Sequence, residues 1–285
     1  MKTFKEKVAA ITGAGSGIGR ATAIELAKAR CNLAISDVSE RELAETAKML
    51  GRYPVKVTSH HVDVSRQEAV KRYAEECVNE HGQVNLIINN AGVGLGETVE
   101  AMSYENLEWL MGINFWGVVY GSKEFLPYLK QSGDGHIVNI SSVFGIISVP
   151  TQSAYNAAKF AVRGFTEALR EELDLENSGV SATCVHPGGV KTNIARSSRM
   201  GDMGALSLGS HEEISSMFER IARSTPEEAA KAILNGVRRN QPRVLIGADA
   251  TFLDVAQRLM PTGYQRLLKT AFRLNQRRTH IPTTS

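Results

Sequence analysis

Apolar residues fall along this chain in short blocks, separated by stretches where they recur every three or four positions. Lys7–Thr12 (KVAAIT), Asn32–Asp37 (NLAISD), Val55–Val64, Leu86–Asn90, His136–Ser141, Val180–Pro187 and Arg243–Gly247 read as strands. Blocks of this length, apolar on successive residues, suit a sheet buried on both faces. Ser16–Ala29, Ser39–Leu50, Ser65–Glu80, Tyr104–Gln131 and Ala154–Glu176 carry the helical period between them. Ser65 and Glu68 are spaced for a capping box. The alternation predicts an α/β fold: one doubly wound parallel sheet of about seven strands with helices on both faces. It is expected to form a single domain over 1–248, with a polar insertion at 193–224 and a helical extension over 249–285.

Ligands of such sheets bind beyond the carboxyl ends of the strands. The small and polar residues gather there: Gly13–Gly19 (GAGSGIG), Asp37, Asp63, Asn90–Gly92, Ser141–Ser142 and Pro187–Gly188. A glycine turn opening a helix lets backbone N–H groups approach a phosphate. No Lys-Ser/Thr pair follows, so this is not a triphosphate P-loop, and Ile18 and Arg20 break a G-x-G-x-x-G register. What stands is T-G-x-x-x-G-x-G. Asp37 ends the second strand about twenty residues on, where a carboxylate can accept from adenosine ribose hydroxyls and repel a 2′-phosphate. Neither Ser16 nor Val38–Ser39 supplies a compensating base, which favours NAD over NADP. Arg41 keeps NADP possible, and Asp37 has the alternative reading of a helix cap.

Composition adds exclusions. No run of eighteen apolar residues occurs in the 285, and the start, MKTFKEKVAAITGAG, lacks the long apolar region of a secretory signal. The three scattered cysteines and seven histidines show no metal-ligand spacing, so no metal is expected. Together these point to a cytoplasmic protein. The net charge of +3 is uneven: from Gln241 onward seven Arg and Lys oppose two Asp, so the part before it carries −2. Nothing suggests a nucleic-acid surface. In the tail, Tyr264, Leu267, Leu268, Ala271 and Phe272 share one helical side, with Arg266, Lys269, Arg273 and Arg277 largely elsewhere. Such a helix can dock on its own domain, cover a substrate pocket, join a subunit interface or lie on a membrane.

SAYNAAKFAV, Ser153–Val162, places Tyr155 and Lys159 on one helical face with no carboxylate nearby. With TGAGSGIG, NNAG (Asn89–Gly92), Asn114, the serine of NISS and HPG (His186–Gly188), the order of motifs resembles the short-chain dehydrogenase/reductase family over about 7–247. The resemblance implies a Rossmann-like sheet and nicotinamide-dependent interconversion of an alcohol and a ketone or aldehyde. It makes Tyr155 the general acid/base and Ser142 the group that holds the substrate oxygen. Lys159 becomes the cation that, together with the positive nicotinamide ring, lowers the phenol, and it holds the nicotinamide ribose. Asn114 becomes the support of a water chain to Lys159, with a buried asparagine satisfied by backbone as the other reading. It assigns Gly13, Ser16, Gly17, Ile18 and Gly19 to the pyrophosphate, Asp37 to the ribose, and Asp63 and Val64 to the adenine. Asn90, Ala91 and Gly92 fall on the adenosine side, and Pro187, Gly188, Val190 and Thr192 at the nicotinamide end. A cation about 4 Å from the phenol is worth roughly 4 kcal/mol at an effective dielectric near 20, about three pKa units.

Asn89 is expected to brace strands, and His186 to be structural. VFGIISVP after Ser142, the segment after Asn90 and the insertion with Met200, Met203 and Met217 are the expected selectors of a moderately lipophilic substrate, with core packing the other reading of VFGIISVP and anchoring of the insertion that of the methionines. The alternatives are an NADPH-dependent 3-oxoacyl-type ketone reductase and a redox-inactive dinucleotide sensor. The resemblance also implies a homodimer or homotetramer.

Overall fold

The computed structural model describes every residue except Ala195, Leu208 and 280–285; the side chains of Ala205, Ile221, Ala271, Phe272 and 274–279 also fall outside the described part. Seven strands form one parallel sheet: β1 (Val8–Thr12), β2 (Asn32–Asp37), β3 (Val57–His61), β4 (Leu86–Asn89), β6 (Gly135–Ile140), β7 (Val180–Pro187) and β9 (Arg243–Ile246). Their order is β3-β2-β1-β4-β6-β7-β9, so the chain changes direction across the sheet between β1 and β4. β5 (Leu95–Gly96) and β8 (Arg199–Met200) pair separately, also in parallel.

Strand alternation divides the apolar residues between two layers. Ala9, Ile11, Leu33, Ile35, Leu86 and Ile88 pack on α1 (Gly17–Lys28) and α8 (Pro226–Arg238), with α2 (Glu40–Leu50) at the margin. Ala10, Ala34, Ile87, Ile137 and Ala182 face the other way, onto α3 (Gln67–His81), α5 (Gly117–Gln131) and α6 (Ser153–Leu175). With both faces covered, the strands read as continuous apolar blocks, and the single-domain doubly wound sheet is the one expected.

Three local expectations fail. The capping box at Ser65 and Glu68 does not form: α3 starts at Gln67, and Ser65 gives both its N–H (3.0 Å) and its hydroxyl (2.7 Å) to Asp63 Oδ1. A carboxylate two residues back outcompetes the helix terminus for the serine. The helix expected over Tyr104–Gln131 is α4 (Tyr104–Met111) and α5 joined by a π-turn, Gly112–Trp116, with Asn114 buried inside it. The insertion is not a free polar loop. β8 pins it to β5, and the guanidinium of Arg199 lies 3.7 Å from the Trp109 ring centroid. Asn106 accepts from Arg199 (3.3 Å) and donates to the buried Glu97 carboxylate (3.1 Å). The 3-10 turn Gly204–Leu206 and α7 (His211–Ile221) complete the insertion.

The extension, α9 (Ala248–Leu259) and α10 (Tyr264–Thr279), packs on the domain. Ala250 and Tyr264 are buried with Val143, Ile146 and Ile147, and Leu253, Leu245 and Leu268 press on the same cluster. The Ser148 N–H donates to the Tyr264 hydroxyl at 3.2 Å. The apolar VFGIISVP run is therefore mostly core under the tail, and Phe144 is its member that reaches Tyr155, ring centroids 6.1 Å apart. Leu267, expected on the apolar side of α10, is exposed, and Ala271 and Phe272 lie outside the described side chains.

Charge fixes α9 as well. Arg243 on β9 donates to Asp254 (3.1 Å) and to Glu167 on α6 (2.5 Å), and Arg258 donates to the second Asp254 oxygen (2.9 Å). Asp254 is nearly buried. Replacing it (Asp254→Asn) leaves Arg243 short of a charged acceptor and is expected to cost about 2 kcal/mol. Thermal unfolding should show a fall of roughly 4–8 °C in Tm; an unchanged midpoint would mean that the Asp254 ion pairs contribute nothing to stability.

Candidate active site

The turn after β1 meets the turn after β4 through one hydroxyl. Thr12 Oγ1 accepts from the N–H groups of Asn90 (3.0 Å) and Ala91 (3.1 Å) and donates to Ile88 O (3.4 Å). Asn90 returns its amide to the carbonyls of Thr12 and Gly13, both at 3.0 Å. This joint is the switch point, where a doubly wound sheet opens its ligand crevice. Gly13 (φ +64°) and Gly17 (φ +51°) hold left-handed conformations that favour glycine. At Gly19 a Cβ would stand 2.2 Å from Gly13 O and 2.6 Å from Asn90 Nδ2, so only glycine lets α1 come this near.

Ser16 is the N-cap of α1, yet its side chain makes no capping bond. The N–H groups of Gly17, Ile18 and Gly19 precede the first intrahelical bond, Arg20 N–H to Ser16 O at 3.0 Å. A cradle with uncapped donors at the positive end of a helix fits a phosphate. Asp37 lies beside it, Oδ2 accepting from Gly15 N–H (2.8 Å) and Oδ1 from Ser39 N–H (2.9 Å). Ser39 caps α2, so Asp37 is not the cap. Arg20 folds onto Gly15 O and Thr46, whereas Arg41 is exposed, with Glu42 (3.9 Å) and Glu45 (4.0 Å) at the limit of pairing.

The other expected contacts divide. Asp63 accepts from Ser65, and Val64 is buried against Gly117 of α5, so its side chain is core. Pro187 ends β7; Gly188 N–H donates to Ile246 O (2.9 Å) and Gly189 N–H to Asp249 Oδ2 (2.7 Å). Val190 is buried and bridges to Ser224. Thr192 comes back over the glycine turn: a Cβ on Gly17 would lie 3.2 Å from its methyl. Asn89 ties β4 to β6 through Asn139 (2.8 Å), the brace expected of it.

Tyr155, Lys159 and Ser142 meet beyond β6. Phe144 N–H donates to Ser142 Oγ (3.1 Å), which leaves the serine proton free to be donated elsewhere. Lys159 is 3% exposed, donates to Ile140 O at 3.0 Å, and has its Nζ 5.5 Å from the Tyr155 ring centroid. Burial brings the Lys159 ammonium down to about 8. Burial also pushes the Tyr155 phenol up to about 12, against the opposing pull of its hydrogen bond with Ser142. The descent of the phenol toward working pH is expected of Lys159 together with the positive nicotinamide ring, and in the protein by itself burial sets the direction. Ser141 is structural, bonding Lys159 O at 2.8 Å.

Asn114 is buried, and its amide closes a two-way pair with the backbone of Val93, donating and accepting at 2.8 Å. Asn114 and Lys159 converge, since a Cβ on Gly92 would lie 3.2 Å from Asn114 Oδ1 and 3.7 Å from Lys159 Nζ. His186 is buried and bonded to Ser142 O (3.0 Å), and desolvation lowers it to about 4, so it is neutral at working pH. Among the described residues no group of His, Cys, Asp and Glu could hold a metal ion.

Sequence reasoning missed three supporting residues. Thr12 stood inside the quoted glycine motif, and its hydroxyl was the available signal. Asn156 follows Tyr155 and ties the 144–149 segment to α6 through Phe144 O (2.8 Å), Ile147 O (2.9 Å) and Val149 N (3.1 Å). Asp249 had no local signal, because its partner Gly189 is sixty residues away.

The sequence profile described as short chain dehydrogenase matches residues 7–202. The chain is 48% identical over 270 residues to the putative oxidoreductase SadH of Mycobacterium tuberculosis, covering 94% of this chain and 96% of that one. It is 32% identical over 269 residues to human estradiol 17-beta-dehydrogenase 11, covering 94% and 84%. Among solved structures, a short chain dehydrogenase/reductase from Burkholderia phymatum in complex with NAD superimposes with a TM-score of 0.79 at 32% identity, covering 86% of this chain and 90% of that one. With the glycine cradle at the switch point and Tyr155, Lys159 and Ser142 beyond the neighbouring strand, these matches settle the family: the chain belongs to the short chain dehydrogenases, oxidoreductases acting on CH–OH and C=O groups with NAD(P).

Proposed function

We propose that the protein interconverts a moderately lipophilic alcohol and its ketone or aldehyde, with NAD as the preferred dinucleotide and Tyr155 as general acid/base. The observation that carries this reading is the buried Lys159, paired with no carboxylate among the described residues, beside the Tyr155 phenol and the Ser142 hydroxyl. Gly13, Ser16, Gly17, Ile18 and Gly19 would hold the pyrophosphate and Asp37 the adenosine ribose. Asp63, Asn90, Ala91 and Gly92 would line the adenosine side, with the backbone of Val64. Pro187, Gly188, Val190 and Thr192 would surround the nicotinamide. The dinucleotide supplies the hydride acceptor or donor.

In the reducing direction, Ser142 donates to the carbonyl oxygen and Tyr155 delivers its proton there. In the oxidising direction, the Tyr155 phenolate takes the alcohol proton, and the Lys159 ammonium stabilises that anion. Asn114 acts as a positioning residue, holding the Val93 turn over Lys159. Support for a lipophilic substrate comes from the apolar surroundings of Tyr155: the Phe144 ring, and the buried cluster of Leu95, Leu110 and Ala154 on which Val93 and Tyr155 pack. The estradiol dehydrogenase relative, named for a hydrophobic alcohol, points the same way. The second Asp37 lone pairs remain available to a ribose while the loop holds the first, which supports NAD. Trp116 and Phe160 are exposed on the π-turn and α6, an apolar surface consistent with a homodimer or homotetramer.

Tyr155→Phe should lower kcat by roughly 10²–10⁴-fold while NAD binding, read by fluorescence titration, is unchanged; full turnover in the variant would remove Tyr155 from the chemistry. The pH dependence has a defined sign. The base is the phenolate, so kcat/KM for alcohol oxidation should rise about tenfold per pH unit below the ionisation of Tyr155, and carbonyl reduction should fall above it. Parallel profiles in both directions test this, and two flat profiles would exclude a titrating phenol. For the dinucleotide, Asp37→Ser should shift the NAD-to-NADP ratio of kcat/KM toward NADP by at least about tenfold, through loss of a carboxylate that repels the 2′-phosphate. An unaltered ratio would show that Asp37 serves only the loop.

A further inference from the structure

We propose that the outward face of the C-terminal helices is a docking surface for an anionic lipid bilayer. The inference rests on that surface alone and is independent of the proposed activity. α9 turns Ala250, Leu253 and Asp254 inward. Its opposite side carries Phe252 (70% exposed), Val255 (48%) and Leu259 (77%), followed by Met260. The spacing i, i+3, i+7 makes these one stripe. On α10 Leu267 is likewise exposed. Large apolar side chains repeated along the outside of a helix already packed on its inner side need a second apolar partner.

Charge chooses the partner. From residue 249 onward the only Asp or Glu residues are Asp249 and Asp254: Asp249 is exposed at the start of α9 and accepts from Gly189 N–H, and Asp254 is buried and held by Arg243 and Arg258. Arg258, Arg266 and Arg273 are exposed, as is Lys269 at the rim of the cleft toward α6, and among the described residues no carboxylate pairs with Arg266, Lys269 or Arg273. The sequence adds Arg277 and Arg278, whose side chains are outside the described part. Apolar side chains accompanied by exposed cations in excess of exposed anions have the composition of a helix that lies in a lipid interface. A second copy of the chain docked through the same face would bring these cations against themselves, which disfavours a symmetric dimer there. No helix among the described residues is long and apolar enough to cross a membrane, so the contact is peripheral.

The test is co-sedimentation of the full chain with vesicles of phosphatidylcholine alone and of phosphatidylcholine with phosphatidylserine. The expected result is binding to the anionic vesicles that weakens as salt is raised, with each of Arg266→Gln, Lys269→Gln and Arg273→Gln lowering affinity roughly fivefold. Phe252→Ser combined with Leu259→Ser should weaken binding by about tenfold or more, with the thermal midpoint unchanged because both residues face solvent. Failure to bind either vesicle would overturn the proposal, as would binding that neither set of substitutions alters. Concentration-dependent self-association without vesicle binding, abolished by the Phe252→Ser, Leu259→Ser variant, would instead assign the stripe to a second copy of the chain.

Discussion

A buried ammonium with no carboxylate to meet it is the constraint around which this site is built. Desolvating a cation is costly unless hydrogen bonds and fixed dipoles replace the lost water. Lys159 receives the Ile140 carbonyl, and burial still draws its pKa down to about 8. The first turns of α6 must therefore be held against the end of β6. Ser141 bonds the Lys159 carbonyl at 2.8 Å, and Asn156 uses three hydrogen bonds to stitch the following segment to the helix. Gly145 fits because a Cβ there would stand 2.6 Å from the Lys159 carbonyl oxygen. A carboxylate would relieve the cost of burial and cancel the field that favours a phenolate. Keeping the charge unpaired retains that field, while the medium that strengthens it raises the phenol to about 12. At neutral pH the side chains alone present a protonated acid beside a largely protonated lysine.

The dinucleotide end follows the same rule, with polar side chains spent on backbone. Thr12 and Asn90 lock two turns together across the switch point, Asp37 fastens the glycine turn, and Asp249 fastens the turn after β7. Asp37 is bound by both roles: a carboxylate that orients Gly15 also sets the charge a ribose or a 2′-phosphate would meet. Cofactor preference and loop geometry are coupled through that one group.

How much of this could be read from the sequence depended on how local the cause was. Apolar blocks and glycine turns are determined within a few residues of themselves, and the strands, their α/β packing and the placement of Tyr155 with Lys159 followed. Ser65 was misread because the capping box and the Asp63 turn compete for one hydroxyl, and spacing alone does not rank them. The π-turn at Asn114 depends on Val93, twenty-one residues away, accepting and returning the amide. VFGIISVP looked like a pocket edge because its burial is supplied by helices a hundred residues later. The β5–β8 pairing is two residues on each strand, below any periodic signal.

The tail shows why that last class of contact matters to chemistry. The bond from Ser148 to Tyr264 and the cluster of Val143, Ile146 and Ile147 under α9 hold the segment whose first residues are Ser142 and Phe144. On the other side, Arg243 and Asp254 join α9 to the last strand, and Glu167 joins the same arginine to α6, the helix that carries Tyr155. The cleft of about 560 Å³ between α6 and α10 is lined by Val149, Phe160 and Leu268 and not by Tyr155, so the tail buttresses the site from behind. α9 is tied to the site segment by two sets of contacts, an apolar one to Val143, Ile146 and Ile147 and a charged one through Arg243 to α6. The extension, appended in sequence, is thus mechanically part of the substrate end, and whatever its outer stripe binds acts on the same packed unit.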